Sequence, residues 1–300
     1  MNNKTILVTG ARGQLGKTLE HCWSASGLAA DNELVLYDIE ELDLTSSAEV
    51  QKQLNSINPH AIVNTAAYTA VDQAEQEANA ALAVNATAVA NLAGWAAGRA
   101  CRIVHISTDF VFDGKSNTPY TPEDSTAPLS VYGVSKRAGE VQLLSGSQDK
   151  HVIIRTSWLY SEYGKNFVKT MLQLMQEKDE LGVVADQTGS PTSTHSLAGL
   201  VLQMLSQGAK SGIYHWTDGA SISRYEFAGA IQAEAIRQGI LETGIPLKPL
   251  TTADYPTPAT RPAYSVLDRS KTLAGLQMDA SNWEQELSRV IKRIATSIEK

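Results

Sequence analysis

Lys4-Thr5-Ile6-Leu7-Val8-Thr9-Gly10-Ala11-Arg12-Gly13-Gln14-Leu15-Gly16 is the stretch that decides the fold of this chain. Its first half is a short apolar run, as a strand buried on both faces requires. Its second half spaces three glycines ahead of a helical pattern, which opens a βαβ unit. Gly10 suits a tight turn, Gly13 lets the backbone approach a pyrophosphate, and Gly16 lets the helix pack closely on the strand. The helix that begins near Gln14 and Leu15 offers free N–H groups and a partial positive charge to a phosphate.

Working outward, short β-rich runs alternate with longer helical ones. Strands are expected at Lys4–Thr9, Glu33–Asp38, Ala61–Asn64, Arg102–Ser107 and Val152–Thr156. Helices are expected at Leu15–Ser26, Ser46–Ile57, Glu75–Gly98 and Val131–Ser145. That alternation is the pattern of a parallel sheet. Beyond Ser157 it loosens: Asn166–Gln176, Ser196–Ser206 and Ser223–Gln238 read as helices, the last opened by a capping box from Ser223 to Glu226. Gly212–Trp216 reads as a strand and Trp283–Ile298 as a terminal amphipathic helix. Pro246, Pro249, Pro256, Pro258 and Pro262 exclude regular helix between them. The expected architecture is α/β: a Rossmann-type doubly wound parallel sheet with a smaller C-terminal α/β substrate-binding cap. Residues 1–156 form the dinucleotide-binding domain, with some later segments returning to it, and residues 157–300 are mainly substrate-binding.

Bulk properties narrow the function. The chain has 300 residues, 43% apolar and 19% charged, which suits one large α/β domain with a smaller appended one. A net charge of −7 without a Lys/Arg block argues against nucleic acid as the main partner. No apolar run approaches the ~20 residues of a membrane span. Met1-Asn2-Asn3-Lys4 leads straight into the first strand, without the form of a signal peptide. Cys22 and Cys101 are far apart and show no CxxC spacing, so neither a disulfide framework nor a zinc site is indicated. A reduced, cytoplasmic protein is expected, and no metal.

Asp38 ends the second strand, where a carboxylate accepts the hydroxyls of an adenosine ribose. That favours NAD over NADP, whereas Arg12 in the glycine turn could meet a 2′-phosphate; the choice between NADH and NADPH stays open. Asp43 and Leu44 then lie near the adenine. Ala66, Ala67 and Tyr68 leave the third strand with little bulk at the first two positions, as close passage along a cofactor requires.

A second group of residues concerns a proton. Tyr132 and Lys136 share one helical face a turn apart. A phenol with an ordinary pKa near ~10 is a poor acid–base group at neutral pH until its anion is stabilised, and Lys136 is placed to do that and to hold a nicotinamide ribose. Thr108, at the C-terminal end of the fourth strand, carries a hydroxyl able to polarise the same carbonyl, at the edge where open α/β sheets bind ligands. A Tyr and a Lys four apart arise often by chance, so the pair counts only in company with Thr108 and the glycine turn.

These residues together resemble the extended short-chain dehydrogenase/reductases. The resemblance rests on the glycine turn, on Ser107-Thr108-Asp109-Phe110-Val111-Phe112-Asp113-Gly114 and on Tyr132-Gly133-Val134-Ser135-Lys136. It extends through Val63–Asp72, Arg155–Tyr160, Asp186–Thr192 and Tyr255–Pro262, and so spans essentially the whole chain. Within the family the chain is most similar to the branch that reduces a dTDP-4-keto-6-deoxy sugar to dTDP-L-rhamnose with NADPH or NADH.

The resemblance implies roles residue by residue. Tyr132 is the acid, Lys136 its partner and Thr108 the hydrogen-bond donor to the carbonyl. Asp109 and Trp158 contact the sugar nucleotide, and Asn166 and Arg261 are candidates for its diphosphate. Two departures qualify this picture. Thr18 and His195 stand near places where some relatives use carboxylates to bridge a dimer through magnesium, so such a bridge is not expected, and homodimerisation stays open. Phe110 stands where related dehydratases carry an acid, which argues against dehydration but not against reduction. Three alternatives remain: reduction of another keto-sugar nucleotide, 4-epimerisation with tightly held NAD, and a non-catalytic NADP-binding regulatory subunit of the same fold.

Overall fold

The opening strand is apolar on both sides because both sides are covered. Side chains alternate between the faces of a strand, and Ile6 and Val8 enter one hydrophobic core while Leu7 enters another. The computed structural model of the protein describes residues 4–146 and 150–298. Met1, Asn2 and Asn3, on which the reading of the N-terminus rests, lie outside the described residues.

In chain order the elements are β1 (Lys4–Thr9), α1 (Gln14–Trp23), β2 (Asn32–Tyr37), α2 (Ser47–Ile57), β3 (Ala61–Asn64), α3 (Val71–Ala74), α4 (Ala78–Leu82), α5 (Ala88–Ala96), β4 (Arg102–Thr108), α6 (Val131–Gly146) and β5 (Val152–Thr156). There follow β6 (Leu159–Tyr160), α7 (Phe167–Glu177), β7 (Leu181–Val184), β8 (Thr188–Gly189), β9 (Thr192–Ser193), α8 (Thr194–Gln207), β10 (Gly212–His215), β11 (Ile222–Ser223), α9 (Arg224–Arg237), β12 (Leu247–Leu250), α10 (Ser270–Leu276) and α11 (Trp283–Ile298).

Six strands form one parallel sheet in the order β10-β5-β4-β3-β1-β2. Leu15 and Leu19 of α1 and Leu197, Leu200, Val201 and Met204 of α8 cover one face. Val50 and Leu54 of α2, Val89 and Leu92 of α5 and Leu143 of α6 cover the other. The chain leaves β1 toward β2 and then crosses back to β3. The crevice at the C-terminal ends of these strands is therefore the topological switch point at which such sheets bind ligands. A third core, centred on Phe227, joins α7, α9 and α11 through Val168, Leu172, Ile231, Val290 and Ile291.

The structure refines the sequence expectation at three elements. The stretch Glu75–Gly98 is not one helix: α4 and α5 are joined by a π-helical turn at Ala83–Thr87. Asn85 lies in that turn, and its side chain holds the backbone of Tyr68 at 2.9 and 3.0 Å and Ser135 Oγ at 2.9 Å. The strand expected at Gly212–Trp216 does form as β10, but as an edge of the central sheet beside β5. The proline-rich segment contains β12, whose Pro249 sits in a two-stranded parallel pair with β7, where one missing N–H is tolerated.

Candidate active site

The cleft begins at the glycine turn. Gly10 has φ +68°, and a Cβ there would fall 2.6 Å from Ala66 N. A Cβ at Gly16 would fall 2.5 Å from Ala11 O, so α1 packs onto the turn only because that position is bare. No side chain caps α1 at Gly13, and its first turn carries no acidic residue. Its leading N–H groups are therefore available to an anion. A cavity of about 410 Å³ lies here, lined by Gly10, Gly13, Asp38, Asp43, Leu44 and the Ala66–Tyr68 segment. Arg12, Gly13, Thr65 and Ala67 also line a second cavity of about 630 Å³, so the two form one cleft. Length, uncapped helix end and flanking acids together fit a dinucleotide.

Charges at this end are paired among themselves. Arg12 donates to Glu40 and Glu41 at 2.6 Å each, which holds its guanidinium pKa above the ordinary value. Asp38 accepts from the Arg12 amide at 2.8 Å and from the Ile39 amide at 2.9 Å. Asp43 accepts from the Thr45 amide and hydroxyl at 2.9 and 2.7 Å, a local turn that leaves it beside Leu44 in the cavity wall.

The second cavity collects Gln14, Leu15, Thr108, Asp109, Tyr132, Lys136, Trp158 and Arg261. Tyr132 and Lys136 lie in the first turns of α6, and a buried ion pair fixes that helix against the sheet. Glu140, a turn beyond Lys136, accepts from Arg155 of β5 twice at 2.8 Å and from Ser107 of β4 at 2.6 Å. Ser107 is the neighbour of Thr108, so this network sets the distance between α6 and the end of β4. Phe110 packs edge-on to Tyr132, with ring centres 5.5 Å apart.

Burial dominates the protonation of these groups. It pushes the Tyr132 phenol up to about 12; the Thr108 hydroxyl opposes the shift and the Asp109 charge adds to it. Burial lowers Lys136 to about 8, opposed by Glu140. Lys136 Nζ donates to Ile106 O at 2.6 Å. The expectation that Lys136 lowers the Tyr132 pKa is therefore not met: the ammonium is turned to the sheet backbone, and the phenol is governed by burial. Thr108 likewise differs from expectation, since its hydroxyl donates to Asp109 Oδ1 at 3.0 Å. It must turn to reach a ligand carbonyl.

Asp109 is 2% exposed, and burial raises its carboxyl to about 6 against the pull of Ser265, Thr108 and Arg224. Its Oδ2 is buried without a partner among the described residues. Trp158 has φ +46°, an uncommon conformation for a bulky residue. Its indole lies against Gly189, where a Cβ would come within 2.6 Å of the ring. Arg224 sits over the same ring with its guanidinium carbon 3.7 Å from the ring centre.

Two of the residues assigned to a diphosphate are otherwise engaged. Asn166 does not line the cavity: it caps α7 through the Lys169 amide at 3.1 Å and donates to Gln14 Oε1 at 2.9 Å. Arg261 lines it but is clamped by Asp72 through both Nη atoms, at 3.0 and 2.7 Å. The cation that sequence reading missed is Arg224. It is the first residue of α9, placed by the Ser223–Glu226 capping box, and lines the cavity. Burial lowers it to about 9, with Asp109 raising and Arg261 lowering it. Among the described residues it makes no hydrogen bond or ion pair, only the stacking contacts with Trp158 and Phe167.

Residues 4–296 match the family model described as the RmlD substrate binding domain. The chain belongs to this family. It is 44% identical to a dTDP-4-dehydrorhamnose reductase of Aggregatibacter actinomycetemcomitans, over 95% of this chain and 97% of that protein. It is 40% identical to a spore coat polysaccharide biosynthesis protein of Bacillus subtilis, over 93% and 95% of the two. Among solved structures, the dTDP-4-dehydrorhamnose reductase of Bacillus anthracis in complex with NADP superposes with a TM-score of 0.88 at 36% identity, covering 99% of this chain and 100% of that one.

Thr18 and His195 are both engaged within the protein. Thr18 is fully buried, its hydroxyl 2.7 Å from Thr194, and His195 is bound to both Glu162 oxygens at 3.0 Å. Burial would lower His195, but Cys22 and Glu162 outweigh it and raise the imidazole to about 9. Asn85 is the other residue that sequence reading passed over, an amide inside an alanine-rich run. It ties the Tyr68 strap, at the cofactor cavity, to Ser135, beside Lys136.

Proposed function

We propose that this protein reduces the 4-keto group of dTDP-4-dehydrorhamnose to give dTDP-L-rhamnose, with NADPH or NADH as reductant. The observation that carries the reading is the meeting, in one cavity, of a proton donor with an unpaired cation. Tyr132 stands beside Thr108 at the end of β4, and Arg224 stands over Trp158 with no ion pair among the described residues.

The division of labour follows the chain. Residues 1–156 hold the dinucleotide: Gly10, Gly13, Gln14 and Leu15 meet its diphosphate, Asp38 its adenosine ribose, and Asp43, Leu44 and the Ala66–Tyr68 segment flank its adenine half. Residues 157–300 supply most of the sugar-nucleotide contacts, with Trp158 and Arg224 beside the sugar and its diphosphate and Arg261 as a paired neighbour. The bound cofactor supplies a hydride to the carbonyl carbon. Tyr132 supplies the proton: a phenol held at about 12 stays protonated at neutral pH, the state that reduction needs. The alkoxide that develops is a stronger base than this phenolate, so the proton moves to the carbonyl oxygen. Thr108 donates to that oxygen after leaving Asp109, and Lys136 holds the nicotinamide ribose.

Among the described residues no helix is long and apolar enough to cross a membrane. A cytoplasmic location and the absence of a nucleic-acid partner belong to the same proposal. The test is nicotinamide oxidation by the purified protein with enzymatically generated dTDP-4-keto-6-deoxy sugar. Consumption that requires the sugar nucleotide supports the reading. Cofactor binding without consumption refutes it, in favour of an epimerase or a binding subunit.

A further inference from the structure

The opposite end of the sheet carries a cationic surface that the cleft chemistry does not use. Lys4 begins β1, His60 precedes β3, Arg102 begins β4 and Lys150 precedes β5. The register places Ala61 beside Arg102, so these residues line one edge of neighbouring strands. Two cavities of about 750 and 720 Å³ lie there and share Lys4, His60, Ala100 and Cys101 as lining. Arg102 and Lys150 line the first and Arg99 the second. Asp31 is the one carboxylate among the described residues of either lining, in a chain whose net charge is −7.

Those cations lack anions. Among the described residues, the side chains of Lys4 and Arg102 make no hydrogen bond or ion pair, while Lys150 donates only to the Arg99 carbonyl at 3.1 Å. Two histidines register the resulting field. Burial, then Lys4 and Arg102, lower His60; burial, then Lys150 and Arg102, lower His151. Two buried donors are also left without acceptors. Arg102 Nη1 has no partner among the described residues. His151, 2% exposed, accepts the Ile103 amide on Nδ1 at 3.2 Å, which leaves its ring proton on an unpartnered Nε2. Native structures rarely leave such groups without an acceptor.

We propose that this end of the sheet binds a small polyphosphate anion, its oxygens accepting from Arg102, Lys4 and Lys150. Several cations against one carboxylate ask for more than a single negative charge. The cavities hold more than one phosphoryl group, and guanidinium and ammonium groups are the donors phosphate oxygens favour. A long polyanion such as DNA is disfavoured, because the surface beyond the patch belongs to an acidic protein.

The test is an NMR titration of the His60 ring with inorganic pyrophosphate at constant ionic strength. The cleft is filled with NADP⁺ so that the glycine turn cannot report, and His60→Gln assigns the signal. A saturable shift, with the His60 pKa rising, is the expected result. Arg102→Met and, separately, Lys150→Met weaken it about tenfold, the loss of one charge-assisted hydrogen bond, and leave NADP⁺ affinity unchanged. The site is overturned by the absence of a saturable shift, by an equal shift with sodium chloride, or by unchanged pyrophosphate affinity in both variants. Tighter binding of a DNA duplex than of pyrophosphate also overturns it and makes the patch a nucleic-acid surface.

Discussion

At the glycine-turn end of the cleft, Arg12 is held by Glu40 and Glu41, and Asp38 accepts two backbone amides. At the other end, among the described residues, Asp109 Oδ2 has no hydrogen-bond partner and Arg224 makes no ion pair, although the two feel each other's charge deep in the cavity wall. One end has paired its cation and satisfied its carboxylate within the protein before any ligand arrives; the other holds groups whose balance a ligand completes. The difference follows from what each end must do. A cofactor site needs shape and backbone donors, which cost little to keep ready. A reacting site needs desolvated groups left free to meet a ligand, and burial keeps them so at the expense of stability.

Removing the proton donor has the largest expected effect. Tyr132→Phe lowers turnover by about 10²–10⁴-fold, because the phenol lines the cavity beside Thr108 and keeps its proton at neutral pH, while the Lys136 ammonium is turned to the Ile106 carbonyl. Cofactor affinity, measured by calorimetry, stays within a few-fold of wild type, since the adenosine end is built independently. Turnover near wild type would remove Tyr132 from the chemistry.

Arg224→Met comes next. The loss of a desolvated cation that faces a diphosphate raises the sugar-nucleotide KM by about 10–100-fold, while the KM for NAD(P)H is unmoved. Arg261→Met is the control within the same cavity: its guanidinium is already bound by Asp72, so a smaller change is expected. Equal effects of the two substitutions on steady-state kinetics would erase the distinction between paired and unpaired cations.

That distinction also shows where sequence reading stops. The glycine turn is legible because its parts are neighbours in the chain, and a strand, three glycines and a helix can have few other arrangements. Thr108 and Tyr132 are legible for a related reason: each sits at the end or start of an element whose period is plain. Arg224 is not, because in sequence it is only the residue after a helix cap. Its importance comes from β11 pairing with β8, which brings α9 over Trp158. Asn166 and Arg261 show the opposite case. Their chemistry suits a diphosphate, but tertiary contacts with Gln14 and Asp72 claim them first. The same limit applies to the fold, where β10 gives no local sign that it belongs to the central sheet.

Asp109 tests the cost of the unbalanced end. Its carboxyl titrates near 6 when folded and near its ordinary value of 3.8 when unfolded. Between those values the folded state binds the extra proton, so the contribution to stability falls as pH rises from 3.8 to 6 and stays lost above 6. Asp109→Asn removes that penalty. The variant is expected to be about 1–3 kcal/mol more stable than wild type at pH 7.5, by urea denaturation, with the gap closing toward pH 4. Turnover falls in the same protein. A variant less stable at pH 7.5 would mean that the carboxylate is a net support of the fold.

The smallest expected effect lies at the balanced end. Glu40 and Glu41 hold the Arg12 guanidinium beside Asp38, and this pairing is expected to disfavour a 2′-phosphate. These are exposed pairs and individually weak. The double change Glu40→Gln with Glu41→Gln frees the guanidinium and removes two repulsive charges. The ratio of kcat/KM for NADPH over NADH is expected to rise about three- to tenfold, with the sugar-nucleotide KM unchanged. Asp38 remains in place and caps the gain, since its carboxylate is fixed by the Arg12 and Ile39 amides whether or not the guanidinium is free. A ratio that does not move would mean that Asp38 alone sets the preference, and that the charge pairing of Arg12 has no part in it.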